Sequence, residues 1–92
     1  MSEPLISVGI PTFNRAAQLA RAAGSVLSQT HANLELVISD NASADETESL
    51  CRALCESDPR VRYLRQPLNR GPTANFNALF ETMRGDLSLI HI

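Results

Sequence analysis

At 92 residues the chain holds one domain at most, and a domain of this size buries only about 60–65% of its unfolded surface, which leaves a thin core. Hydrophobic residues make up 43% and charged residues 20%, proportions that exclude a disordered or collagen-like chain. The formal net charge is -2, and the 8 basic residues, all arginine, are scattered from Arg15 to Arg84, which excludes a basic patch for nucleic acid.

Met1-Ser2-Glu3-Pro4 carries no basic leader, and no apolar run approaches the ~18 residues that span a membrane, so the chain is expected in the cytoplasm. Leu5 to Ile10 is short, β-branched and followed by Pro11, which cannot donate to a sheet ladder; it predicts a buried strand that Pro11 stops. From Ala16 the pattern changes. Ala16, Leu19, Ala20, Ala23, Val26 and Leu27 recur at helical spacing, setting one apolar stripe against a sheet. His31, in Gln29-Thr30-His31-Ala32-Asn33, reads as a surface turn residue before a second strand, Leu34 to Ile38. Ser43 or Asp45 suits the cap of the next helix, which turns Thr47, Leu50, Cys51 and Leu54 inward and stops near Asp58-Pro59. Cys51 and Cys55 lie four apart with no second pair or nearby His to complete a zinc site, so they read as reduced core thiols. Val61 to Leu64 is a third strand. Asn69-Arg70-Gly71-Pro72 is a turn into a third helix with Phe76, Leu79, Phe80 and Met83 inward, ended by Gly85.

Strand and helix alternate three times, which predicts an α/β fold with a mostly parallel sheet, right-handed crossovers and flanking helices in three layers. The loops after the first two strands then meet at the carboxyl edge of the sheet, where such folds bind ligands. Phe13 in the first loop either stacks on a nucleobase or packs on a neighbouring loop. Asp40 and Asn41 in the second either bind a base or ribose, or form the turn and cap the helix. Arg15 either approaches a diphosphate or is an exposed charge at a helix start, and Asn69, Gly71, Asn75 and Asn77 either hold a polar ligand or bridge loops. No Gly-x-Gly-x-x-Gly or Walker loop follows the first strand, which argues against dinucleotide dehydrogenases and P-loop enzymes. Pro11-Thr12-Phe13 is also a poor substitute for the acidic pocket of a phosphoacceptor receiver domain.

Ile6-Ser7-Val8-Gly9-Ile10-Pro11-Thr12-Phe13-Asn14-Arg15, then Leu27-Ser28-Gln29-Thr30, then Leu34 to Thr47 with Ser39-Asp40-Asn41-Ala42-Ser43 at its centre, resemble the opening of a family 2 glycosyltransferase. Asn69-Arg70-Gly71-Pro72, Asn75-Phe76-Asn77 and Gly85-Asp86 continue the match, which covers residues 5 to 86 in order. The resemblance implies a partial GT-A (Rossmann-like) fold, a nucleotide-diphospho-sugar donor such as a UDP- or dTDP-sugar, and inverting transfer to an acceptor hydroxyl. The acceptor would be a glycan or a lipid-linked molecule, met by the full-length protein in the cytoplasm or at the cytoplasmic membrane face. By the same match Pro11, Thr12 and Phe13 border the base, Asp40 and Asn41 contact base or ribose, and Arg15 lies toward the diphosphate. Many members carry an acid at the place of Asn41, and often an arginine near the diphosphate at about the place of Asn75.

Family members run on from a Gly-Asp or Gly-Glu pair into a fourth strand that ends in an Asp-x-Asp type motif holding Mg²⁺ or Mn²⁺ against the diphosphate. This chain carries no such motif, so the resemblance implies a cation for the full-length enzyme but no metal-binding and no catalytic residue here. Residues 1–86 are thus expected to be the nucleotide-sugar-binding half, inactive alone. Leu87 to Ile92 is what one reading frame of a transposon end used in sequencing-library preparation encodes, and it is expected to be a non-native tail. The alternative reading is a non-catalytic nucleotide-binding or regulatory α/β module, for which the missing acid pair argues.

Overall fold

Short β-branched runs form strands, and the computed structural model, which describes residues 5–28, 33–69, 71–85 and 87–90, joins four of them in one sheet. The elements run β1 (Ile6–Thr12), α1 (Ala16–Leu27), β2 (Leu34–Asp40), α2 (Thr47–Ser57), β3 (Val61–Arg65), α3 (Pro72–Thr82) and β4 (Leu87–Ile90). All pairings are parallel, in the order β3-β2-β1-β4, with Val8 opposite Leu36 on one side and Leu89 on the other. The expected alternation of strand and helix is therefore present. Readings made for Gln29, Thr30, His31, Arg70, Asp86 and the last two residues fall outside the described residues.

Successive strand residues point to opposite faces, and the two faces of this sheet differ in chemistry. Val8, Ile10, Leu36, Ile38 and Val61 join Leu19, Ala23 and Val26 of α1 and Cys51 of α2 in one buried apolar cluster. Ser7, Gly9, Glu35, Ser39 and Arg62 occupy the other face, under α3. Polar bonds hold α3 there at both ends. Near its start, Asn75 Nδ2 donates to the Ser39 carbonyl at 3.0 Å while the Ser39 hydroxyl donates to Asn75 Oδ1. At its end, Arg62 Nη1 donates to the Thr82 carbonyl at 3.0 Å and to Glu35 Oε1 at 3.1 Å. Between these clamps Leu79 is fully buried, and Gly9 is tightly covered: a Cβ there would lie 3.1–3.2 Å from the side chains of Met83, Ile90 and Leu79, which would have to give by a few tenths of an ångström.

Several sequence expectations are corrected. β1 does not stop at Ile10 but passes through Pro11 to Thr12. The Ile6 amide donates to Asn33 and the Thr12 carbonyl accepts from Asn41, so even-numbered residues of β1 bond toward β2. Pro11 therefore faces β4, where the described pairing ends at Gly9 and Ile90, and its missing N–H costs no ladder bond. Ala20 is exposed, and Ala22 packs against the core instead. Phe80 is also exposed, because Asn75 and Leu79, four apart, set the inward stripe of α3 and the next residue is turned about 100° away. Gly85 does not end α3, which closes at Thr82; its glycine is required because a Cβ would meet Ser7 Oγ at 2.5 Å.

Candidate functional site

The chain leaves β1 toward β2 through α1 and returns from β3 to β4 through α3 on the opposite face, so β1 is the switch point of the sheet, where open α/β folds leave a crevice. A cleft of about 420 Å³ opens at that place. Pro11, Thr12, Phe13 and Arg15 line it from the end of β1, and Asn41 from the end of β2. Asn69, Pro72, Asn75 and Phe76 close it from the approach and first turn of α3.

Each of these residues is set by specific local bonds. Phe13 is 41% exposed, so much of its ring is open to a partner. Arg15 opens α1; its guanidinium makes no ion pair or hydrogen bond among the described residues and also borders a smaller cavity of about 230 Å³ beside Leu19 and Ala22. Asn41 Nδ2 donates to Asn69 Oδ1 at 2.8 Å and to the Gly71 carbonyl at 3.4 Å, which ties the end of β2 to the start of α3. Gly71 sits at φ +90°, a left-handed value that glycine takes without strain, and its amide donates to the same Asn69 oxygen at 2.8 Å. Asn75 lines the cleft, but its carboxamide is engaged with Ser39, so it pegs α3 to β2.

Asp40 is placed differently. It is fully buried behind the cleft, where the Ser43 amide donates to Oδ1 at 2.9 Å and the Tyr63 hydroxyl to Oδ2 at 2.6 Å. It thereby shapes the loop that presents Asn41, while burial first and the bond to Asp40 second push the Tyr63 phenol up. Burial, and then the negative field of Asp40, push the neighbouring Cys51 thiol up to about 12. Such a thiol is inert, as the reading of core cysteines expects.

The two loops are also cross-tied. The Asn14 amide donates to Ser43 Oγ at 2.8 Å, and the Ala44 amide donates to Asn14 Oδ1 at 2.7 Å. Asp45 accepts from the amides of both Ala16, at 3.2 Å, and Thr47, at 3.0 Å, so one carboxylate serves the starts of α1 and α2. Hydrogen bonds from Thr47 and Ala16 hold its pKa below the usual carboxylate value. Neither of the two caps expected for α2 holds the N-cap place: that is Glu46, which makes no side-chain cap bond, while Asp45, one residue before it, accepts from the first helical amide and Ser43 is engaged with the first loop. Sequence reasoning missed Asn14 and Tyr63 because their partners lie 29 or 30 and 23 residues away. The one local signal was an asparagine just past a strand end, a residue type that tolerates left-handed backbone.

Among the described residues no group of three His, Cys, Asp or Glu can hold a metal ion, so these residues do not fit a divalent cation. No helix among them is long and apolar enough to cross a membrane.

Known proteins share this sequence and fold. Residues 7–91 match the model of glycosyl transferase family 2. The chain is 37% identical over 84 residues to a GalNAc(5)-diNAcBac-PP-undecaprenol beta-1,3-glucosyltransferase of Campylobacter jejuni, covering 90% of this chain and 27% of that protein. It is 34% identical to an uncharacterized glycosyltransferase of Haemophilus influenzae over 94% of this chain and 34% of the relative. The chain thus spans about a third or less of the length of these relatives. A mannosyltransferase of Pyrobaculum calidifontis, solved in complex with GDP-Man and Mn²⁺, superposes with a TM-score of 0.84 at 25% identity, over 95% of this chain and 26% of its own. Residues 1–349 of TarS from S. aureus share the fold at a TM-score of 0.85 and 21% identity, with the same coverage of 95% and 26%. The four-stranded parallel sheet with three helices is a GT-A type α/β fold, and a family match that spans nearly the whole chain places this protein in glycosyl transferase family 2.

Proposed function

We propose that the chain is the nucleotide-binding half of an inverting glycosyltransferase and that its cleft holds the nucleoside diphosphate of a sugar donor. The observation that carries this reading is the convergence of the exposed Phe13 ring, the Asn41 carboxamide and the Arg15 guanidinium, which has no partner among the described residues, on one cleft at the switch point. A base stacks on Phe13 at little entropic cost, since the ring has two torsions to fix. Asn41 lies at the edge of the same cleft, within the reading that it contacts base or ribose. Arg15 supplies a positive charge in the lining, and the start of α3, which no side chain caps among the described residues, adds its dipole to attract the diphosphate. Asp40 acts through the loop it shapes rather than by touching the base.

The donor proposed is a UDP- or dTDP-sugar, and the acceptor a glycan or lipid-linked hydroxyl in the cytoplasm or at its membrane face. The GDP-Man held by the Pyrobaculum mannosyltransferase supports a nucleotide-sugar as the donor class. Among the described residues one arginine faces the cleft and no group is placed as a general base, and a single guanidinium does not neutralise a departing diphosphate, so the chain is proposed to bind donor without transferring sugar. Residues 87–92 are proposed to be non-native; the pairing of β4 needs only an alternating apolar segment, whatever its origin. Long-read sequencing of the source DNA past codon 86 should then return a different continuation, and an unchanged hexapeptide followed by a stop would refute it.

Calorimetric titration with UDP, dTDP and GDP tests the binding reading. At least one should bind, and Phe13→Ala should weaken it about tenfold, the worth of one stacked base. Absence of binding, or an unchanged affinity in the variant, sinks the proposal. Release of nucleoside diphosphate from a donor panel by this chain would show that the second half is not needed for turnover.

A further inference from the structure

Among the described non-glycine residues, Asn14 at φ +50° and Ala42 at φ +63° take left-handed backbone, and they stand on the two loops that meet beside the cleft. Four hydrogen bonds join residues 12–16 to residues 41–45. The Asn14 and Ala16 amides donate one way, to Ser43 Oγ and Asp45 Oδ2. The Asn41 and Ala44 amides donate the other way, to the Thr12 carbonyl and Asn14 Oδ1. Asn14 is the residue of this set that gives a donor and accepts through its own side chain. It does not line the cleft, yet Phe13 and Arg15 on either side of it do. Fixing Asn14 at both its amide and its carboxamide therefore fixes the directions in which its two neighbours leave the backbone.

We infer that Asn14 is a positioning residue of the cleft, which acts through Phe13 and Arg15 by clasping the first loop to the second. The inference rests on the reading of the cleft as a nucleoside diphosphate site. Residue chemistry narrows the choice at this position. A left-handed φ favours Gly, Asn and Asp, and the Ala44 amide needs an oxygen acceptor on a short side chain, which leaves Asn and Asp. Glycine would keep the backbone and the amide bond to Ser43 and lose the side-chain half of the clasp. Because Ala44 is exposed, its freed N–H turns to water at small cost. Loss of the clasp should thus loosen the two loops without unfolding the domain, and a residue of merely structural importance would do the reverse.

The test compares the protein with Asn14→Gly and Asn14→Asp, titrated with UDP, dTDP and GDP, together with amide exchange at Ala44 and the ring resonances of Phe13. Asn14→Gly should bind about five- to tenfold more weakly, since one net hydrogen bond no longer pre-orders the loop. Its Ala44 amide should exchange faster, while its melting temperature stays within about 2 °C, because the buried core is untouched. Asn14→Asp restores the acceptor and should return affinity to within about threefold of the parent, with Asp45 nearby opposing full recovery. An Asn14→Gly variant that binds as tightly as the parent, or an Asn14→Asp variant that binds as weakly as Asn14→Gly, overturns the assignment. If the parent binds none of the three nucleotides, the cleft reading fails on its own. The clasp is then decided by Phe13, whose ring resonances must shift in Asn14→Gly and return in Asn14→Asp; unchanged resonances in the glycine variant refute it.

Discussion

Ala42 carries a methyl group in left-handed backbone, at φ +63°, between Asn41 in the cleft wall and the buried Ser43. That conformation costs an L-residue roughly 1–2 kcal/mol, while glycine would give back about 0.4–1 kcal/mol in unfolded-chain entropy. Ala42→Gly should therefore stabilise the domain by about 0.5 kcal/mol in urea titration, and a loss of stability would show that the methyl group packs favourably. Asp40 lies next to this strained loop and makes the opposite kind of contribution. Asp40→Ala would leave the Ser43 amide and the Tyr63 hydroxyl without their acceptor in a buried place, at a cost of about 2–4 kcal/mol. Asp40→Asn, which keeps one acceptor oxygen, should cost less; equal losses in the two variants would mean that packing matters more than the bonds. Any fall in nucleotide affinity on changing Asp40 is accordingly expected to accompany a fall in stability, unlike the fall expected from Phe13→Ala.

Helix α3 is the element whose attachment the chain order did not reveal. The strands were legible because their apolar runs are short and β-branched, and α1 because its stripe recurs at helical spacing. Glu35 was not, since it interrupts an otherwise apolar strand and its partners come from Ser7, Arg62 and Arg84 on three other segments. Asn75 reads in sequence as either a ligand group or a bridge between loops, because nothing local shows that Ser39, 36 residues earlier, takes up its amide. Burial tends to raise the pKa of Glu35, but the Arg84 amide, the Ser7 hydroxyl and the Arg62 guanidinium outweigh it and hold the pKa below the ordinary value. A depressed carboxylate stabilises the fold above its unfolded pKa of about 4.3, and that stability is lost as pH falls through the lower folded value. Glu35→Gln should flatten the acid limb of the stability profile and lower stability at neutral pH, measured by denaturant titration from pH 7 to pH 3. An acid limb of unchanged slope would assign acid sensitivity to other carboxylates. Most of the cleft lining was legible, since strand ends and turn residues announce themselves; the loop-to-loop bonds were not, because each joins residues far apart in the chain.

The molecule as a whole is unevenly covered. Phe80 is 59% and Leu89 58% exposed, and they belong to opposite faces of the sheet, since Leu89 shares the side of Val8 while α3 packs on the other. The far edge, β3, carries Arg62 and Arg65, charges that discourage strand addition. Self-association at high concentration should consequently run through these exposed apolar side chains, and Phe80→Ser with Leu89→Ser should reduce it in sedimentation velocity; an Arg65→Ser change that alone promotes association would point to β3 instead. The two polar clamps on α3 have a different consequence, one of length. Asn75 and Thr82 are seven residues apart, about 10 Å along a helix, and they answer to Ser39 and Glu35, four residues and about 13 Å apart along β2, with the long Arg62 side chain closing the difference. The strand is in effect a ruler for the helix. Inserting one residue between Asn75 and Thr82 would rotate one clamp by about 100° away from the sheet. The count of residues in this stretch of α3 is thereby fixed by the strand beneath it.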